Sequence, residues 1–425
     1  MSTILFSILV ILFGIDIISK VRSKDKSLIW QPTTFLIIYL SYYVLLPFFK
    51  GGQNVISGGG SDASDYSQML LLLGTLLFYL VFRLVYDKSR PKIEFRRLNS
   101  LLTENNVIRC SVVLFALAFV GYCIFNGFSL SIFSADSKTD MVFNEEGSYG
   151  HTEMYITYLI SLFTFCCAVV YAIKQKISAL FVIMIVLSLI IYIIGGFRYR
   201  ILMLFVTVFT VMHLFSKPKN IKYQIVVPLF LVMYAFMGIM EAARMYGKGL
   251  DISAVTEIQK TGEIKEASEN MMVYDISAKC MEEYDFEDYI YFEPIVTAAL
   301  MPVPRALFPW KPKGTYIRDA NLKLYGTISH GNAFLNITEA YISFGWFGII
   351  IYAWFLGWLS KLFWYNYKKN LNSIGAVALL ALYNAALYQI IARGYMAQAL
   401  TTFIYYVFMP FWIIMLLRKI NIIKK

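Results

Sequence analysis

Arg305, Lys311, Lys313, Arg318, His330 and Glu339 all stand in one stretch, residues 301–348, MPVPRALFPWKPKGTYIRDANLKLYGTISHGNAFLNITEAYISFGWFG. A carboxylate or an imidazole can take a proton from a reacting hydroxyl, and clustered cations can hold the charge that develops on a departing phosphate. A polyanionic, lipid-linked substrate suits such a set. Pro302, Pro304, Pro309 and Pro312 end any regular helix and fix a rigid path, which holds Arg305, Lys311 and Lys313 close together. From Asn332 the pattern turns helical again, with Phe334, Leu335, Thr338 and Ile342 expected on the membrane side and Glu339 near the outer interface. Gly345 and Gly348 permit tight contact where an apolar helix begins at Trp346.

Further basic groups lie outside that stretch. Arg198 and Arg200 occupy the turn GGFRYR, and Arg393 the turn ARGYMA. Two readings compete for them: snorkelling to lipid phosphates, or clamping a diphosphate, for which the guanidinium fork is shaped. Glu282, Glu283, Asp285, Glu287 and Asp288 form an acidic run. It reads as a solvated face or as a site for a hard divalent ion, though no glycine-turned ligand loop accompanies it. His151 ends an acidic loop and reads as a solvated residue. The cysteines offer no disulfide framework and no zinc spacing.

The elements that must position these groups follow from composition. Apolar residues make up 59% of the chain and charged residues 15%, with a mean hydropathy of +0.62, which places it among polytopic membrane proteins. Runs long enough for the hydrocarbon layer give about eleven spans, near residues 1–18, 28–49, 68–86, 108–128, 154–173, 177–194, 201–216, 223–240, 346–364, 374–391 and 398–417. The expected fold is all-α, because backbone groups in lipid must find partners within their own segment. Alternate connections are rich in Lys and Arg, among them Lys20, Arg22, Lys24, Lys26, Lys88, Arg90, Lys92, Lys368 and Lys369. These are the expected cytoplasmic loops, which puts the amino terminus outside and the carboxyl terminus in the cytoplasm. The net charge of +11 is therefore mostly topology and implies no nucleic acid. The division is an N-terminal bundle of spans, residues 1–240, one large extracytoplasmic loop carrying helices of its own, residues 241–345, and a C-terminal bundle, residues 346–425.

At VPRALFPWKP, HGNAFLNITEAYISFGWFG and GGFRYRILMLF the chain resembles the bacterial oligosaccharide repeat-unit polymerases, the Wzy type of O-antigen and capsule assembly. The resemblance implies a GT-C-like integral membrane glycosyltransferase of the bacterial inner membrane. Undecaprenyl-diphosphate-linked repeat units would be donor and acceptor, joined on the outer face with release of the lipid diphosphate. It implies that Arg198, Arg200, Arg305 and Arg244 hold sugar diphosphates, and it admits a chain-length regulator protein as a partner. In the related O-antigen ligases a histidine precedes paired glycines at a spacing that falls here on Phe334, not His330, which favours polymerase over ligase.

The chemistry agrees independently. A diphosphate leaving group already stores the energy of transfer, and neither a Walker A loop nor a dinucleotide fingerprint is present. No cofactor or metal is expected. Glu339 is the first candidate base and His330 the second; each also has a structural reading, as a hydrogen-bonded helix residue and a loop residue. The alternatives are an O-antigen ligase and a lipid-linked oligosaccharide flippase or transporter. Alternating access needs charges at mid-membrane and paired halves, whereas these spans read as almost free of charge.

Overall fold

A computed structural model describes residues 1–49, 63–99, 102, 104–125, 151–194, 198–215, 269–300, 310, 316–326 and 333–419. Every regular element among them is helical. In chain order those of eight residues or more are α1 (Ser2–Arg22), α2 (Pro32–Phe49), α3 (Asp65–Lys88), α4 (Glu104–Phe125), α5 (His151–Lys174), α6 (Ala179–Ile194), α7 (Arg198–Leu214), α8 (Glu269–Glu283), α9 (Glu293–Leu300), α10 (Tyr316–Tyr325), α11 (Asn336–Lys369), α12 (Ile374–Ala392) and α13 (Met396–Lys419). Seven are long and apolar enough to cross a membrane: α1, α2, α3, α11, α12, α13 and, within α4, Val107–Ile124. Leu159–Lys174, Ala179–Tyr192 and Tyr199–Leu214 are shorter apolar helices. Each of these coincides with an expected span, and the protein is an all-α multi-pass membrane protein. The span expected at 223–240 lies outside the described residues.

Local chemistry sets the element ends. Ser64 caps α3, its Oγ accepting from the Ser67 N–H at 3.0 Å, with Asp65 in the first turn, where the helix dipole favours a negative charge. Pro91 lies just beyond the end of α3 and bars its continuation. Ser41–Leu45 in α2 and Thr402–Phe408 in α13 are π-helical. Each ends two residues before a proline, Pro47 and Pro410. The proline has no N–H for the carbonyl one turn back and its ring crowds that carbonyl, so the preceding turn widens.

The chain packs as two compact units, each discontinuous in sequence. The first comprises Met1–Ile93, Lys265–Tyr365 and Leu387–Phe403. In it α3 and α11 run side by side in the same direction. A Cβ on Gly74 would lie 3.3 Å from Ile349, and one on Gly357 would lie 2.7 Å from the Phe82 carbonyl oxygen. Small residues let the two backbones approach. Met281 of α8 also reaches Gly74, and Asn270 of α8 donates to the Tyr42 carbonyl at 3.0 Å, so α8 is braced on α2 and α3.

The second unit comprises Glu94–Ile264, Asn366–Ala386 and Ile404–Lys425. Its centre is α5, whose Phe163, Thr164, Phe165, Cys166, Cys167, Ala168, Val169 and Val170 have no exposed surface. Thr164 pairs with Tyr192 of α6 at 2.9 Å, and Thr207 of α7 with Tyr406 of α13 at 3.0 Å. Glu94 binds Arg96 at 2.8 Å and also Lys369; the Arg96 hydrogen bond, then that of Lys369, holds its carboxyl below the usual range.

The first unit departs from the expectation that the spans are almost free of charge. Asp16 and Lys20 of α1 are 7% and 5% exposed and pair at 3.3 Å. Arg83 of α3 reaches Asp16 at 3.6 Å and Asp87 at 3.4 Å. Tyr79 donates to Asp16 at 3.3 Å, and Lys20 donates to Thr33 and, at 3.1 Å, to Thr34. The network ties α1, α2 and α3 together at their lysine-rich ends. Its two acids and two bases balance, so it reads as an internal lock.

Candidate active site

Glu339 sits where three parts of the first unit converge. Inside α11 the backbone leaves helical geometry at Phe344 (φ −144°, ψ 23°) and Gly345 (φ 61°, ψ −149°). The positive φ suits glycine, and there is no room for a side chain: a Cβ on Gly345 would lie 2.6 Å from the Tyr289 hydroxyl. The chain therefore folds back on itself. Asn336 Nδ2 donates to the Tyr352 hydroxyl at 3.1 Å, and a Cβ on Gly348 would collide with the Ala340 carbonyl. Both pairs are centred on Phe344, so Asn336–Ser343 is a short helix lying antiparallel along the span that begins at Trp346. At 1.5 Å per residue Asn336 lies roughly 9 Å along that span from its start.

This hairpin corrects one expectation. Phe334, Leu335, Thr338 and Ile342 do not face lipid; all four have no exposed surface, because the fold-back turns them into protein. Gly345 and Gly348 play the close-contact role expected of them, and the apolar span does start at Trp346.

The short helix is held from two sides. The Leu335 N–H donates to Ser277 Oγ of α8 at 2.8 Å, and Thr338 Oγ1 donates to the Ser277 carbonyl at 3.4 Å. The Gly394 N–H donates to the Phe334 carbonyl at 2.5 Å, and a side chain on Gly394 would strike the Phe334 ring. The α12–α13 turn, which carries Arg393, is thus clamped to the residues just ahead of the hairpin. Arg393 is half-buried there.

Glu339 itself is 1% exposed. Its Oε1 accepts from the Tyr316 hydroxyl and, at 2.8 Å, from the Met396 N–H. Met396 opens α13, so that N–H has no acceptor within its own helix, and the positive end of the helix dipole faces the carboxylate. Both donors are neutral. Oε2 is buried with no hydrogen-bond partner among the described residues. Burial, with the Glu339 charge beside it, raises the Tyr316 phenol far above its ordinary range, so it stays a proton donor. Asn336, one turn before Glu339, repeats the arrangement. Tyr352 spends its hydroxyl proton on the Ile390 carbonyl at 2.9 Å and must accept from Asn336 Nδ2. That fixes the amide orientation and leaves Asn336 Oδ1 buried without a donor among the described residues. Two buried oxygen acceptors on one short helix thus have no hydrogen-bond partner among the described residues.

The other expected site residues are placed less fully. Arg200 lies in the second unit and is 7% exposed, with Nε donating to the Tyr199 hydroxyl at 3.2 Å. A buried guanidinium does not snorkel to lipid. Arg198 starts α7. Arg244, Arg305, Lys311, Lys313 and His330 lie outside the described residues. The acidic run is engaged by the protein: Ser64 donates to Glu282 at 2.8 Å, and Lys323 bonds Asp288 at 2.5 Å. Tyr316, Asn336, Tyr352 and the Met396 N–H escaped the sequence reading, since polar residues in apolar surroundings give no periodic signal.

Neither a curated protein nor a solved structure matches the chain. A family model does match, in keeping with a many-span helical chain: over residues 1–425 the chain belongs to the O-antigen polysaccharide polymerase Wzy family.

Proposed function

We propose that the protein joins undecaprenyl-diphosphate-linked oligosaccharide repeat units into O-antigen or capsular polysaccharide on the outer face of the bacterial inner membrane. Family membership supports the polymerising glycosyltransferase role. The observation that carries the mechanism is Glu339, a buried carboxylate with neutral donors on one oxygen and, among the described residues, no hydrogen-bond partner on the other. In this reading Oε2 takes the proton of an acceptor hydroxyl as that oxygen attacks the anomeric carbon of the donor. The bond from that carbon to the diphosphate breaks, and the lipid diphosphate departs with the electron pair. Tyr316 and the Met396 N–H hold Oε1 so that the free oxygen has one direction. Asn336 Oδ1 accepts from a second sugar hydroxyl.

Arg198, Arg200, Arg244, Arg305, Lys311, Lys313 and Arg393 hold the diphosphates and stabilise the charge on the leaving group, in place of a metal. Residues 241–345 are the extracytoplasmic loop between the bundles 1–240 and 346–425, with the amino terminus outside and the carboxyl terminus in the cytoplasm. A chain-length regulator is a candidate partner. The balanced network at Asp16 favours this reading over a transporter, since it locks helices instead of leaving a charge to bind cargo.

The test supplies purified protein with undecaprenyl-diphosphate-linked repeat units from the native host, in EDTA and without it. A ladder of products with released lipid diphosphate, unchanged by EDTA, is the expected result. Transfer of finished chains to a different lipid would make the protein a ligase. Folded protein that extends nothing but moves the substrate across liposomes would make it a flippase.

A further inference from the structure

Residues 286–300 belong, by sequence, to the extracytoplasmic loop, yet their surface is not that of a solvated loop. α9 is eight residues long, and Pro294, Thr297 and Ala298 are its buried face, with α9 packed against the start of α13. The opposite face should then be polar if water covers it. Instead it shows Ile295, 51% exposed, Val296, 37% exposed, and Ala299, with Phe292 just ahead, 62% exposed. A helix apolar on both faces is buried in protein or lies in lipid.

Its place in the unit decides between them. The Ile290 N–H donates to the Ile342 carbonyl at 2.9 Å, which ties the segment to the end of the short helix that carries Glu339. The rings of Phe292 and Tyr291 lie 4.9 Å and 6.0 Å from that of Phe344, at the kink. Tyr289 meets Tyr341, and Tyr341 meets Trp346 at 5.3 Å. The span that follows shows its own exposed apolar stripe from its first turn: Phe347, Ile350, Ile351, Trp354 and Phe355. The exposed side chains of Tyr291, Phe292, Ile295 and Val296 continue that stripe past the kink, with the exposed acids Glu287 and Asp288 ahead of them, a mix of aromatic and polar groups characteristic of a membrane–water boundary.

We propose that residues 286–300 form a wedge seated in the lipid leaflet at the kinked end of α11, with the bilayer itself covering Phe292, Ile295 and Val296. The partner is the interfacial zone of the leaflet: acyl chains against Ile295 and Val296, head groups at the level of Phe286 and Tyr291. The wedge lines the lipid side of the Glu339 hairpin.

Spin-label accessibility in nanodiscs of phosphatidylcholine and phosphatidylglycerol tests this without any substrate, so a failure of the polymerase reading leaves it unaffected. Four native cysteines are buried and Cys123 is half-exposed, so Cys123→Ser provides the background. Labels go on Phe292→Cys and Ile295→Cys, with Trp354→Cys as the lipid reference and Arg318→Cys, on an exposed polar face of α10, as the water reference. The expected result is that both wedge labels collide with oxygen several-fold more than with a water-soluble nickel chelate, as the Trp354 label does. Labels that behave like the Arg318 one place the wedge in water and overturn the proposal. Labels shielded from both probes overturn it too, by showing that protein covers the face.

Discussion

Asp16 and Glu339 are both carboxylates buried in the first unit. Asp16 is met by Lys20 and Arg83 and by the Tyr79 hydroxyl. Glu339 is met by a phenol and a backbone N–H, both neutral and both on one oxygen. A buried charge matched by opposite charges is fixed in place, and removing one partner strands the others. A buried carboxyl with neutral donors on one oxygen and, among the described residues, no partner on the other keeps a proton affinity that small changes can tip. The same side-chain chemistry thus makes a lock in one place and a candidate base in the other.

Substitutions can break that contrast, and Glu339→Gln should do so most. It keeps the shape of the side chain and should lower polymerisation by about 10²–10⁴-fold, the range for a general base, while the unfolding temperature in detergent stays close to wild type. Product ladders normalised to folded protein measure this. Polymerisation near the wild-type level would remove Glu339 from the mechanism and pass the role of base to His330.

Asp16→Asn should do the reverse. It strands Lys20 in a buried site and should cost about 3 kcal/mol of stability, the low end for a broken buried pair because Arg83 is partly exposed and keeps Asp87. Activity per folded molecule should be unchanged. Adding Lys20→Met should restore most of the stability, since an apolar pair of similar volume tolerates burial. An Asp16→Asn protein that folds normally but loses turnover would make the network functional and erase the contrast.

Gly345→Ala tests the hairpin that carries Glu339. The positive φ and the Tyr289 contact should cost about 1–3 kcal/mol, and the displaced short helix should lose more activity than that stability change accounts for. Tyr316→Phe sharpens the Glu339 side alone. Loss of one donor should lower turnover by about tenfold, near the net value of a hydrogen bond to a charged group. Rates against substrate concentration should show the fall in kcat rather than KM.

The smallest effect belongs to Lys323→Met. The Lys323 hydrogen bond holds the Asp288 carboxyl below its ordinary value, so the pair adds stability above about pH 4 and loses it as pH falls through the lowered value. The small difference in unfolding temperature between wild type and mutant should therefore close in acid. Polymerisation at neutral pH should not change.

Some of this could be read directly. Asp16 and Lys20 are four residues apart on an apolar helix, a spacing that pairs them on one face. Their match to Arg83 could not be read, because α3 reaches α1 only through packing. Glu339 stood out as an acid just ahead of an apolar run, and Gly345 and Gly348 as sites of close approach. The fold-back between them was hidden, since the same pattern fits one continuous helix, and the side expected to face lipid faces protein instead.

By itself the sequence determined an all-helical membrane protein, because apolar run length and the need to satisfy backbone groups in lipid leave few other solutions. The basic ends of the helices and the start of the span at Trp346 were set in the same way, by composition along the chain. Only the tertiary structure decided what Glu339 is. Its donors lie 23 and 57 residues away along the chain. Local periodicity reports which face of a helix is apolar, whereas the partner of a buried oxygen depends on which distant helix end is packed against it.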